Sequence, residues 1–312
     1  MSADSPPIDP ILQKVLDAVP FRLTADGGVQ AARKRFRDLK RRPVHPQVRT
    51  EDRVIPGPAG DLPVRIYWPP SPGPHPVVVF FHGGGFAIGD LDTHDGTARD
   101  HAVGADAVVV SVDYRLAPEH PHPAAVEDAL AATEWVAAHG AEFGADAARL
   151  AVAGDSAGGT LSAVVAQLAR DQGGPAIVFQ LLWYPGTTYD TSLPSFTENA
   201  DAPVMDRAAL AAFTRWYAGD GVDPRNPPPT MAPARTADLH GLPPAYIAVA
   251  GYDPLRDDGL HYADLLTAAG VAVQTDNAAT LVHGYLGYSG VVPAATAATE
   301  RGLAALHAGL RA

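Results

Sequence analysis

Gly154-Asp155-Ser156-Ala157-Gly158 sets a serine between glycines, directly after an apolar run at 150–153 and at the start of a helical pattern over 157–170. The glycines permit a sharp strand-to-helix turn that exposes the hydroxyl, and the helix N-terminus aims N–H donors at developing negative charge. The chemistry this suits is nucleophilic attack on an acyl carbon. A glycine-rich turn with an incidental serine is the plain alternative, disfavoured here by the flanking strand and helix.

His82-Gly83-Gly84-Gly85 follows a second apolar run, 77–81. Consecutive glycines let backbone N–H groups approach a substrate without side-chain interference, as an oxyanion hole requires. Gly84, Gly85 and Ala157 are the candidate donors, each well-aimed one worth about 3 kcal/mol to a tetrahedral intermediate. A phosphate-binding loop is the competing reading, but Ile88 stands where the last glycine of G-x-G-x-x-G belongs and no Lys-Ser or Lys-Thr pair follows.

An attacking serine needs a base, and the base needs an acid to hold its tautomer. Downstream of Ser156, Asp253 follows an apolar run at 246–250 and His283 lies beyond the last strand candidate. The order serine, aspartate, histidine is that of α/β-hydrolases. Asp257, Asp258 and His261 read instead as helix-surface residues and His240 as a loop residue. His120 and His122, near Asp113 and Glu119, could be drawn as a metal site, but Pro118, Pro121 and Pro123 make this a stiff loop, and no metal is expected.

The elements that must position these groups follow from the hydrophobic pattern. Continuous apolar runs at 77–81, 108–112, 150–153, 179–183 and 246–250 suit strands buried on both faces. Helical patterns at 126–139, 157–170 and 258–269 alternate with them, which argues a mainly parallel α/β sheet. A short strand near 271–275 and an Ala-rich helix complete the chain. Val64, Ile66 and Trp68 alternate with Arg65 and Tyr67 after a turn at 56–60, giving a hairpin near the sheet edge. Residues 187–242 break the rhythm with Pro194, Pro203, Pro224, Pro227, Pro228 and Pro229 around a helix containing Leu210, Phe213 and Tyr217, and read as an insertion.

Near the N-terminus, Ile11, Leu12, Val15, Leu16 and Val19 form an apolar helical stripe ended by Pro20. The seven basic residues Arg33, Lys34, Arg35, Arg37, Lys40, Arg41 and Arg42 read as a solvated helix face rather than an anion site.

The 312 residues, 46% hydrophobic and 19% charged, can bury one large core. A net charge of -12 disfavours nucleic acid and anionic membranes as partners and favours a small neutral substrate. Without cysteine, disulfides, thiolate catalysis and Cys-ligated zinc are excluded. Asp4, Asp9, Lys14 and Asp17 interrupt the N-terminal apolar residues, so no signal peptide is expected, and a cytoplasmic protein is.

Taken together, the chain resembles the hormone-sensitive-lipase-like (family IV) bacterial carboxylesterases over nearly its whole length. The resemblance rests on His82-Gly83-Gly84-Gly85-Phe86, Gly154-Asp155-Ser156-Ala157-Gly158-Gly159, Asp253-Pro254-Leu255-Arg256-Asp257 and His283-Gly284. Leu91-Asp92-Thr93-His94-Asp95 and the stretch from Asp113-Tyr114-Arg115 to Glu119-His120-Pro121 are similar to scaffolding segments of that family. It implies an eight-stranded, mostly parallel α/β-hydrolase sheet flanked by helices. The expected organisation is N-terminal cap helices at 1–50, a first half of the core at 51–186, a cap insertion at 187–242 and a second half of the core at 243–312. It also implies a carboxylesterase using Ser156, Asp253 and His283, with no cofactor, for which a homodimer would be compatible. Tyr285, where phenylalanine is common, and Ala202-Pro203-Val204, in place of a glycine-aromatic sequence, are departures placed in substrate-facing parts. A non-catalytic binder on this scaffold and a hydrolase of amides or lactones are the alternatives.

Overall fold

The computed structural model describes residues 6–41 and 43–312. Asp4 and Arg42 lie outside the described residues. Eight strands form one sheet in the order β1-β2-β4-β3-β5-β6-β7-β8. They are β1 (Arg49–Gly57), β2 (Gly60–Trp68), β3 (His75–Phe81), β4 (Val108–Val112), β5 (Ala145–Asp155), β6 (Phe179–Trp183), β7 (Ala245–Tyr252) and β8 (Val273–Val282). β1 and β2 make the antiparallel edge hairpin, β2 pairs antiparallel with β4, and the remaining neighbours are parallel.

The continuous apolar runs are central strands because side chains on both faces are buried. Val78 and Phe80 of β3 enter one core, with Trp183, Tyr246 and Leu303, whereas Val77, Val79 and Phe81 enter the other, with Val136, Leu161 and Val165. The helices α3 (Asp95–Ala105) and α9 (Pro293–Gly309) cover the first face, and α4 (Ala124–His139) and α5 (Ala157–Gln172) the second. The alternation of β2 is not a water-facing one, since Tyr67 is as buried as Val64 and Ile66 and its hydroxyl donates to Asp95. Beneath α3, His101 Nδ1 bonds the Thr97 carbonyl at 2.7 Å and its Nε2 accepts the Trp183 indole N–H at 3.0 Å. Those partners fix a neutral tautomer with the proton on Nδ1.

The first helix, α1 (Pro10–Ala18), is capped by Asp9, whose carboxylate accepts from Ile11 and Leu12, a cap worth about 1 kcal/mol. Leu12 and Leu16 enter the first core, while Ile11 and Val19 stay outside it at 44% and 64% exposure, so the buried stripe is narrower than the sequence pattern. The Asp9 N–H donates to the Thr280 carbonyl of β8, and the Tyr252 hydroxyl donates to the Pro6 carbonyl.

In α2 (Gly28–Arg37), Lys34 and Arg37 are exposed as the solvated-face reading expects, but Arg33 is not. Its guanidinium donates to the carbonyls of Ala87 and Ala117 and forks onto Glu119, tying α2 to the segment after His82-Gly83-Gly84-Gly85. Residues 187–242 carry α6 (Pro194–Glu198) and α7 (Arg207–Ala218). Phe213 of α7 packs with Ala87 and Ile88. The remaining helix, α8 (Arg256–Ala268), follows β7.

Candidate active site

The parallel strands deliver their C-terminal ends to one edge of the sheet, where the candidate groups meet. In the β3–β5 register Phe81 stands opposite Gly154, so the next residues, His82 and Asp155, begin their loops side by side. Asp155 pairs with Trp183 of β6, and the Ser156 N–H donates to the Trp183 carbonyl at 2.8 Å. Tyr252 pairs with Val282 at the ends of β7 and β8, which makes Asp253 and His283 neighbours although 30 positions separate them.

Ser156 sits at φ 54°, ψ −116°, a conformation that side chains rarely adopt, between β5 and the first turn of α5. Its Oγ lies 2.9 Å from His283 Nε2, and His283 Nδ1 lies 2.6 Å from Asp253 Oδ2. The Asp253 carboxylate is wholly buried, and its second oxygen accepts the Leu255 N–H at 2.8 Å. That arrangement sets the Nδ1 proton toward Asp253 and leaves Nε2 free to take one from Ser156.

Gly84 and Gly85 have φ of 120° and 58°, conformations open to glycine, and neither N–H donates to a protein acceptor among the described residues. Gly83, by contrast, donates to Asp155 Oδ1 at 2.9 Å. Asp155 therefore braces the glycine loop against the turn that carries Ser156, a role its place in the serine motif did not reveal. Burial alone would raise the Asp155 carboxyl, but the His94 and His82 rings and the Gly83 N–H outweigh it and hold it below the usual range.

His82 lies beneath this loop, stacked between Tyr114 and His94. The His82 Nδ1 bonds the Gly83 carbonyl at 2.8 Å, and the Tyr114 hydroxyl donates to the His82 carbonyl at 2.6 Å. Burial, reinforced by His94, pulls the His82 imidazole down to about 4, and burial does the same to His101. Both rings are neutral when folded and free to protonate near 6.5 when unfolded. Their stabilising effect is complete above pH 6.5 and is lost as pH falls from 6.5 toward 4. At pH 5 each should cost about 2 kcal/mol of stability. Urea midpoints at pH 7.5 and pH 5 should differ accordingly, and His101→Gln should shrink the difference; equal midpoints would contradict the neutral assignment.

Ser156 opens onto a cavity of about 530 Å³. Gly85, Ser156 and Ala157 form its floor, and Phe86, Leu210 and Phe213 supply apolar wall. Two contacts from α7 hold the glycine loop: Phe213 packs so closely on Gly85 that a side chain there would strike its ring, and Tyr217 stacks on Phe86 at 3.6 Å between centroids. No local sequence signal joins residues so far apart.

Three expectations change. Asp258 is not a surface charge: it is wholly buried and accepts from the backbone and hydroxyl groups of Thr187 and Thr188, where burial pushes its carboxyl up against those bonds. Asp257 accepts the Ser195 N–H at 2.8 Å and pairs with Arg256. Tyr285 and Val204 belong to the sheet core rather than to the cavity wall. His240 and His261 are on the surface, and His122 bonds Thr230 at 3.0 Å. Asn199, which the sequence reading left without a role, donates its amide to the carbonyls of Gly251 and Asp253 and so clamps the turn carrying Asp253.

A family model described as alpha/beta hydrolase fold matches residues 78–287. Esterase LipI of Mycobacterium tuberculosis is 68% identical over 307 residues, covering 97% of this chain and 96% of that protein. Carboxylesterase NlhH of the same organism is 58% identical over 313 residues, covering 98% of each. The solved structure of DphMB1 superposes with a TM-score of 0.94 at 66% identity, over 97% of this chain and 99% of that one. A thermostable esterase from Pseudomonas putida ECU1011 superposes with a TM-score of 0.92 at 34% identity, over 99% of both chains.

Proposed function

The chain belongs to the hormone-sensitive-lipase-like branch of the α/β-hydrolase family and is a carboxylic ester hydrolase, and from that premise we propose that it cleaves short to medium acyl esters through an acyl-enzyme on Ser156. The observation carrying this is the unbroken line from Ser156 Oγ to His283, at 2.9 Å, and on to Asp253, at 2.6 Å, opening onto the cavity.

In this mechanism Ser156 Oγ bonds to the ester carbonyl carbon as its proton passes to His283 Nε2. Asp253 holds the imidazolium, and the N–H groups of Gly84, Gly85 and Ala157 hold the oxyanion. Collapse breaks the carbon–oxygen bond of the leaving alcohol, which takes the proton from His283. Water then attacks the acyl-serine, giving its proton to His283, and the second collapse returns that proton to Ser156 and frees the carboxylic acid. One ester and one water give one acid and one alcohol. The chain's own residues carry every proton and charge, so no cofactor enters.

We assign the N-terminal helices and residues 187–242 to a cap, a reading supported by the α7 residues in the cavity wall. No helix among the described residues is long and apolar enough to cross a membrane. A cavity of about 530 Å³ supports short and medium chains over long ones.

The test is turnover of p-nitrophenyl acetate, butyrate, octanoate and palmitate by the purified protein, together with inactivation by diethyl p-nitrophenyl phosphate. Activity should be highest on butyrate or octanoate and low on palmitate. The inhibitor should add one phosphoryl group per chain, on the peptide containing Ser156. Full inactivation with the label elsewhere would refute the assignment, and palmitate as the best substrate would refute the chain-length reading.

A further inference from the structure

The outer wall of the cavity carries four arginines, Arg207 and Arg215 from α7 and Arg225 and Arg235 from the proline-rich stretch after it. Against them the wall sets two carboxylates, the exposed Asp190 and Asp258, whose oxygens are taken up by Thr187 and Thr188. Arginines elsewhere are commonly paired: Arg115 with Asp128 and Glu127, Arg256 with Glu198 and Asp257, Arg301 with Asp276. Within the wall only Arg225 has such a partner, Asp223, while Arg235 donates to the Asn226 amide oxygen. Among the described residues Arg207 and Arg215 have no carboxylate partner.

This concentration runs against the whole chain, whose formal charge is -12. A ligand in the cavity responds mainly to the nearer charges, because at physiological salt interactions between exposed charges fade over about 8 Å. A rim on an apolar cleft in which one sign of charge predominates focuses its field inward and raises the local concentration of the opposite charge. Guanidinium groups also match a carboxylate with two parallel hydrogen bonds. The neutral substrate suggested by net charge averages over a surface that the bound molecule does not meet.

We propose that the cavity prefers esters bearing a second, anionic group, a carboxylate held by Arg207, Arg215 and Arg235 while the scissile carbonyl sits at Ser156. The proposal rests on the esterase reading and adds to it the class of substrate. The carboxylate sits on either the acyl or the alcohol side, and matched pairs separate the two. On the acyl side the p-nitrophenyl monoester of adipic acid is compared with that of adipamic acid. On the alcohol side para-acetoxybenzoate is compared with para-acetoxybenzamide. Each kcat/KM is divided by the rate of spontaneous hydrolysis, so that leaving-group chemistry cancels.

At low ionic strength the anionic member of at least one pair should be favoured by about tenfold, and about 0.5 M NaCl should bring the ratio near unity. Arg207→Gln with Arg215→Gln should reduce the ratio at least about fivefold, whereas Arg207→Lys with Arg215→Lys, which keeps the charge but loses the paired hydrogen bonds, should reduce it less. Hydrolysis of the neutral members with no anionic preference in either pair overturns this proposal and leaves the esterase reading standing. A preference untouched by the glutamine variants, or lost equally in the lysine variants, overturns the assignment to these charges. No turnover of any member, with Ser156 unlabelled by the phosphate triester, overturns the esterase reading and this proposal with it.

Discussion

Replacing Ser156 with alanine is expected to lower ester turnover by about four to six orders of magnitude while leaving the fold intact. The hydroxyl is hydrogen-bonded to His283, and the turn is held by backbone, through the Ser156 N–H on the Trp183 carbonyl and the Thr160 N–H on the Ser156 carbonyl. Alanine meets the same positive φ as serine, so it adds no new backbone cost. The proposed oxyanion donors and the cavity remain, and on that proposal they account for the residual rate above water. Burst kinetics and circular dichroism on the same preparation check both halves of the claim. A variant within tenfold of wild type would mean that another group attacks the ester.

The second large effect comes from a methyl group. Gly158 lies where a side-chain carbon would stand 2.8 Å from the His82 carbonyl oxygen and nearer still to the Phe81 carbonyl. Both are backbone atoms at the end of β3, so the clash is relieved only by moving α5 away from the sheet. Gly158→Ala is therefore expected to cost about 3–5 kcal/mol and lower Tm by about 5–10 °C. It should also lower kcat by about a hundredfold in whatever protein folds, since it shifts Ser156 relative to His283 and the glycine loop. Gly221→Ala, at a position with nothing within 4 Å, is the control that should leave Tm unchanged. Wild-type stability and activity in Gly158→Ala would show that the contact between β3 and α5 is looser than described.

The parts that declare themselves in sequence are those whose cause is local. The runs at 77–81, 108–112 and 179–183 need no context to be read as buried strands, and each is one. Gly154 and Gly158 flank Ser156 because the turn itself demands glycine, so the elbow can be read from five residues. β8 is legible only in part: Gln274, Asp276 and Asn277 interrupt it, because a strand at the sheet edge is not sealed on both faces, and it runs to Val282 rather than to 275. Asp258 misleads for a related reason. An acidic residue in the first turn of a helix is ordinarily solvated, and only the arrival of Thr187 and Thr188 from a distant segment gives it the donors that permit burial. The grip of Phe213 and Tyr217 on the glycine loop, and the gathering of arginines around the cavity, exist only once the chain is folded.

The bond from the Asp9 N–H to the Thr280 carbonyl joins the first helix to the last strand. On a ribosome adding about 5–20 residues per second, α1 would leave the tunnel tens of seconds before its docking strand is made. For that interval Leu12 and Leu16 have no permanent shelter, and Ser156 is already synthesised while His283, its proposed base, is not. On the proposed mechanism, ester-cleaving power arrives late in synthesis, when the strand that brings His283 also gives α1 its seat. On that mechanism, a nascent chain stalled before that point would hold Ser156 without His283 and cleave no ester.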